Sequence, residues 1–76
     1  MKKAIQQDTL VTLISDQALR EMRAVRVEGG WSLQGRIAAS WRPVRSRREP
    51  VRIWASLTAI GSFCERIGIK SLVVEF

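Results

Sequence analysis

The sequence contains no histidine and a single cysteine, Cys64. Without histidine, the chain lacks the most common general base and the most common metal ligand in proteins. One cysteine also excludes an internal disulfide and a cysteine-based zinc site. We therefore expect a protein that is not an enzyme, with no catalytic residues, no metal and no cofactor.

Long apolar runs and clustered carboxylates are absent as well. The missing apolar runs predict no membrane-spanning helix and no signal peptide, and hence a cytoplasmic protein. The seven acidic residues are dispersed along the chain, and none lies in a motif that forces two carboxylates together. Cys64 has no base beside it, so we interpret it as a small buried hydrophobic residue.

The chain has 76 residues, of which 46% are hydrophobic and 26% are charged. This composition is typical of a globular protein, and the length allows one domain with a thin core. We expect a flexible N-terminus at residues 1–7 and a single domain over residues 8–76.

A first helix is predicted to begin at Asp8, whose side chain can accept hydrogen bonds from free main-chain N–H groups. Leu10 and Leu13 follow at helical spacing. The pattern allows two ends for this helix, near Gln17 or near Arg23, because the segment from residue 20 also fits a strand.

Alternating apolar and charged residues predict a strand at 24–28 and a returning strand at 31–39. Between them, Gly29-Gly30 can supply the positive φ angles of a tight hairpin turn. Residues 41–50 contain two prolines and five charges, and they predict a loop. The alternation resumes at 51–54, which we interpret as a third strand.

A second helix is expected after Ser56, a good N-cap, and is expected to end at Gly68. Its apolar face consists of Leu57, Ile60, Cys64 and Ile67. Residues 69–76 predict a final strand that is apolar on both faces, which suits an inner or interface strand. Strand 51–54, the helix and the final strand then make a parallel β-α-β crossover. The predicted fold is α+β, in the order α-β-β-β-α-β, with a four-stranded sheet and two helices on one face.

Positive charge is concentrated between Trp31 and Trp54. This segment has six arginines and one acid, Glu49, in a chain of net charge +6. Arginine binds phosphate with two parallel hydrogen bonds, and Trp41 offers a stacking platform for an unpaired base. The candidate residues for binding nucleic acid or a partner are Arg36, Trp41, Arg42, Arg45, Arg47, Arg48 and Arg52. Alternatively, these arginines only solubilise the domain or pair with a partner's acids.

Several short pieces of the chain resemble a known family. They are Gly29-Gly30-Trp31, Arg42-Pro43-Val44, Val51-Arg52-Ile53-Trp54 before Leu57, Ile67-Gly68-Ile69 and Val73-Val74-Glu75. In these pieces the stretch from about Ala18 to Glu75 resembles the ParC-type partition-associated small proteins of plasmids. The resemblance implies a place on plasmids or integrating elements, beside partition or conjugation genes, and implies no catalytic residue.

We therefore expect a non-enzymatic accessory protein of plasmid or mobile-element maintenance that binds nucleic acid, or a nucleoprotein partner, through an arginine-rich loop. Both predicted helices are nearly neutral, so phosphate contacts without sequence readout are favoured. The alternative is a protein-interaction module or inhibitor that binds an acidic surface of a larger complex without contacting DNA. The apolar final strand, which ends in Phe76, also predicts a homodimer in which a second copy covers it.

Overall fold

The computed structural model describes residues 4–76, which form a mixed sheet of six strands with two helices. The strands are β1 (Ile5–Gln6), β2 (Glu21–Val27), β3 (Gly30–Ile37), β4 (Ser40–Arg45), β5 (Ile53–Trp54) and β6 (Val73–Glu75). The helices are α1 (Leu10–Ser15), which follows a 3-10 turn at Gln7–Thr9, and α2 (Leu57–Ile67). The predicted four-stranded α-β-β-β-α-β arrangement is therefore wrong, because β1 and β4 were not foreseen as strands.

The strand order is β1-β4-β3-β2-β6, with β5 beside β3. Strands β2, β3 and β4 form an antiparallel meander, while β1 is parallel to β4 and β6 is parallel to β2. Strand β2 pairs along one edge of β3. On the other edge, β5 pairs with the beginning of β3 at Trp31 and Ser32, and β4 pairs with the rest, from Gln34 to Ile37. The strands that flank α2 are therefore separated by β3 and β2, and the predicted crossover does not join neighbouring strands.

The predicted hairpin between β2 and β3 is present, but its turn lies one residue earlier than expected, at Glu28-Gly29, because Gly30 pairs with Val27. Gly29 has a φ of 87° and Gly30, the first residue of β3, has a φ of 150°. A Cβ at Gly30 would overlap the main-chain oxygen of Trp54. Glycine is therefore required at Gly30 for β5 to approach the edge of β3.

Residues 41–50 are not the predicted loop, because β4 extends through Trp41 and Pro43 to Arg45. Pairs along an antiparallel ladder alternate between hydrogen-bonded and non-hydrogen-bonded positions. Counted from the tight turn between β3 and β4, Pro43 falls opposite Gln34 at a non-hydrogen-bonded position. Its missing N–H therefore removes no hydrogen bond to β3, and the loop is confined to residues 46–52.

The first helix is shorter than predicted. Asp8 lies within the 3-10 turn rather than at a helix cap, and no side chain caps that turn. Helix α1 ends at Ser15, so its predicted extension to Arg23, which lies in β2, is wrong. The chain leaves the helix through Gln17, whose φ of 60° is left-handed.

Both predicted ends of the second helix are confirmed. The Ser56 hydroxyl accepts a hydrogen bond from the main-chain N–H of Ala59 at 3.1 Å. Gly68 ends α2 in the left-handed conformation. Cys64 is 5% exposed, as its helical position predicts.

The core lies on one face of the sheet, and both helices contribute to it. It consists of Ile5, Leu10, Leu19, Met22, Ala24, Leu33, Val44, Trp54, Ile60, Phe63 and Cys64. Ile5 lies before the expected domain start at Asp8, yet it is buried and pairs with Val44. Residues 1–3 of the expected flexible N-terminus lie outside the described residues. Neither helix within residues 4–76 is long and apolar enough to cross a bilayer.

Strand β6 lies at the edge of the sheet, because it pairs with β2 alone among the described strands. Val73 is 60% exposed and Phe76 is 87% exposed, so the expectation of an inner strand is wrong. The Phe76 ring meets the Trp31 ring edge-to-face, with centroids 5.5 Å apart. An interface role for this strand in a homodimer stays a prediction.

Candidate nucleic-acid interface

Side chains that alternate with the core residues lie on the other face of the sheet, which we call the open face. The register places on it Gln6, Glu21, Arg23, Val25, Val27, Ser32, Gln34, Arg36, Trp41, Pro43, Arg45, Ile53, Val73 and Glu75. Among the described residues, the one buried residue on this face is Ser32, whose hydroxyl donates to the main-chain oxygen of Val25 within the sheet, and no hydrophobic residue is buried there. Within residues 4–76, the open face therefore presents three arginines, two glutamates and one tryptophan without a covering helix.

Arg23 and Trp41 form a stacked pair on the open face. The guanidinium carbon of Arg23 lies 4.1 Å from the centroid of the Trp41 ring. Since Arg23 belongs to β2 and Trp41 to β4, the pair spans β3, where Arg23 Nε donates to Gln34 Oε1 at 2.7 Å. On the other side, Arg23 Nη1 donates to Glu75 Oε2 at 3.4 Å. These contacts fix the guanidinium over the indole ring.

Arg36 lies directly across the β3–β4 ladder from Trp41. Its Nη1 donates to Glu21 Oε1 at 3.1 Å, and its side chain remains 41% exposed. Exposed ion pairs of this kind contribute only about 0–1 kcal/mol. A phosphate group can therefore compete with Glu21 for this guanidinium.

The loop 46–52 presents two exposed arginines beyond the end of β4. It is closed by hydrogen bonds from Glu49 N to Ser46 Oγ at 3.1 Å and from Ser46 N to Glu49 O at 3.2 Å. Arg47 is 87% exposed, with its Nε 3.7 Å from Asp8 Oδ2. Arg48 is also exposed. Both cations are accessible to phosphate, and the closed loop limits how far they can move.

Two of the predicted site residues lie on the helix side of the sheet. Arg42 alternates onto the core face of β4, and its buried Nε has no hydrogen-bond partner in the described chain. Arg52 donates to Gln7 Oε1 at 2.5 Å, and its guanidinium carbon is 4.4 Å from the Trp54 ring centroid. Arg52 therefore holds the first turn of the chain against β5.

The predicted arginine cluster is thus divided among three places. Arg36, Trp41 and Arg45 share the open face, where Arg45 Nε donates to Ser46 O at 3.3 Å. Arg47 and Arg48 lie in the adjoining loop. The remaining two arginines contribute nothing to the open face. Strand alternation turns Arg42 toward the helices. Arg52, at the end of the loop, is held on that side by its contacts with Gln7 and Trp54.

Sequence reasoning missed Arg23 and Gln34 as members of this surface. The signal was present in the alternation, because Arg23 lies between the apolar residues Met22 and Ala24. Its pairing with Trp41, however, depends on β4 being a strand on the far side of β3. Pro43 made this segment look like a loop, so β4 was not predicted.

The one thiol is remote from this surface. Cys64 is buried in α2, and burial raises the pKa of its thiol above the ordinary value of 9.0. A neutral buried thiol is a poor nucleophile, because the thiolate is the reactive form. Among residues 4–76, no three histidine, cysteine or carboxylate side chains converge on a metal site.

The chain matches no protein-family model, no curated protein and no solved structure. Its resemblance to the ParC-type proteins remains a hypothesis that rests on the short pieces of sequence named above.

Proposed function

We propose that the protein is a non-enzymatic accessory of plasmid or mobile-element maintenance that binds nucleic acid. One observation carries the binding proposal: the open face presents Arg23, Arg36 and Arg45 around Trp41, beside the exposed arginines of loop 46–52. The place in plasmid maintenance is supported by the resemblance to ParC-type proteins.

The proposed contacts are mainly to phosphates. A chain of net charge +6 attracts polyanions over long range, and arginine forks bind phosphate oxygens in pairs. Neither helix lies on the open face to enter a groove, so direct reading of base edges is not expected. The binding should therefore be strongly salt-dependent and weakly sequence-dependent.

A titration of random-sequence DNA, single-stranded and duplex, at two salt concentrations tests this function. Fluorescence anisotropy of labelled DNA gives the dissociation constant at each salt. The paired change Arg47→Gln and Arg48→Gln should weaken binding and reduce the duplex salt slope by roughly 0.9 per lost phosphate contact. The fold should be retained, because both residues lie in an exposed loop.

A matched control removes the same charge elsewhere. Arg66 and Lys70 are exposed and lie at the end of α2 and just after it, away from the open face. Changing both to glutamine should alter binding much less than the loop pair does. If wild-type protein binds neither DNA at low salt, the nucleic-acid function is refuted, and the alternative of a module that binds an acidic protein surface is favoured. Equal effects of the two pairs would show that only net charge matters.

A further inference from the structure

We propose that the nucleic acid recognised by the open face is single-stranded, with an unpaired base stacked on the Arg23–Trp41 pair. This inference rests on the proposed nucleic-acid function and adds the class of strand and the residues that select it.

The Arg23–Trp41 pair is built as a stacking surface. The indole ring is half-buried on a face that no other described element covers, and the guanidinium lies 4.1 Å from its centroid. Bases stack on both indole rings and guanidinium planes. Hydrogen bonds to Gln34 and Glu75 already hold Arg23 in place, so little side-chain freedom is lost when a base arrives.

Phosphate-binding groups flank this stacking surface in two directions. Arg36 lies opposite Trp41 across the β3–β4 ladder. Arg45 lies four residues farther along β4, which corresponds to roughly 14 Å at a rise of about 3.4 Å per residue. Arg47 and Arg48 continue beyond it. A strand with one base on the Arg23–Trp41 pair can therefore place its backbone phosphates on either side against guanidinium groups.

A duplex cannot use the stacking surface. Its bases are paired and stacked on one another, and a sheet face that is several strands wide does not fit into either groove. Only the flanking arginines remain available to it, as contacts to the phosphate backbone. A single strand makes the same phosphate contacts and adds base stacking, so it should bind more tightly than duplex at equal salt.

Substitution of Trp41 tests the inference directly. In anisotropy titrations at one fixed salt concentration, Trp41→Leu should lower affinity for single-stranded DNA by about fivefold or more, the lower limit for loss of one stacked base. Duplex affinity should stay within about twofold. Trp41→Phe keeps an aromatic ring and should retain most of the single-strand affinity.

Arg23 provides a second test with a matched control. Arg23→Gln and Arg26→Gln remove the same charge from the same strand, but Arg26 lies on the opposite face. The first change should weaken single-strand binding more than the second. Circular dichroism and thermal melting of each variant establish that it is folded.

The results separate this inference from the proposed function. If wild-type protein binds single-stranded and duplex DNA equally, and folded Trp41→Leu loses neither, the stacking inference is overturned while the phosphate-binding function stands. If Arg23→Gln and Arg26→Gln weaken single-strand binding equally, the pair has no specific role. If no DNA binds at low salt, the proposed function itself fails.

Discussion

Replacing Gly30 by alanine should destabilise the domain much more than the same change at Gly29. Both glycines have positive φ angles, 87° at Gly29 and 150° at Gly30. A residue with a Cβ in left-handed backbone costs about 1–2 kcal/mol, and loss of glycine freedom in the unfolded chain offsets about 0.4–1 kcal/mol of this. Nothing lies within 4 Å of a Cβ at Gly29. Its replacement should therefore cost about 1 kcal/mol.

At Gly30 the new methyl group meets the main chain. It would overlap the oxygen of Trp54, and that residue cannot move freely because it pairs with Trp31 and its side chain is buried in the core. The strand β5 has to shift away from β3. Overpacking of this kind typically costs about 1–3 kcal/mol beyond the backbone term. We therefore expect a total loss of about 2–4 kcal/mol, a large fraction of the stability of a small domain.

Urea denaturation followed by tryptophan fluorescence measures the free energy of unfolding of both variants. The expected difference of about 1–3 kcal/mol corresponds to a difference in melting temperature of roughly 4 °C or more for a domain of this size. Equal stabilities for the two variants would refute the close approach of β5 to the start of β3.

Three further predictions concern the turn, the thiol and assembly. Ala38, in the turn between β3 and β4, has a φ of 55°, so Ala38→Gly should raise the free energy of unfolding by about 0.5–1 kcal/mol in the same assay. Because burial raises the pKa of the Cys64 thiol above 9.0, the folded state keeps a proton that the unfolded chain loses. The free energy of unfolding should therefore decrease as the pH rises above 9, and this decrease should be absent in Cys64→Ala. Urea denaturation at several pH values measures both. The predicted homodimer should give twice the 8.6 kDa monomer mass in light scattering; a monomer mass that persists on concentration contradicts it.

Local signals in the sequence predicted the elements that local interactions determine. Ser56 and Gly68 mark the ends of α2, because the groups that cap a helix lie within a few residues of the helix end. The hairpin at the glycine pair, though not the position of its turn at Glu28-Gly29, and the alternation in β3 were predictable for the same reason. The two faces of β3 follow from that alternation alone.

Features that depend on distant residues were not predictable in this way. Strand β1 has only two residues, and it forms because it pairs with β4, which lies far away in the sequence. The presence of Pro43 led to the prediction of a loop. At its position in the β3–β4 ladder, however, the missing N–H removes no hydrogen bond. The contact between Arg23 and Trp41 at the candidate site was not predictable either, because it forms only when β4 pairs with the far edge of β3.

The topology also indicates which strand pairs of the sheet form early in folding and which form late. The meander β2–β3–β4 joins neighbouring segments, whereas the β1–β4 and β2–β6 pairings connect residues far apart in sequence. Such long-range pairings carry a larger loop-closure entropy and tend to form late in folding. They are also short, so they should open first in native-state amide exchange. Because Trp41, Arg23 and Arg36 all lie within the meander, these three residues stay together when either end of the chain opens. Opening of the β2–β6 pairing removes the hydrogen bond from Arg23 to Glu75 but leaves the one to Gln34.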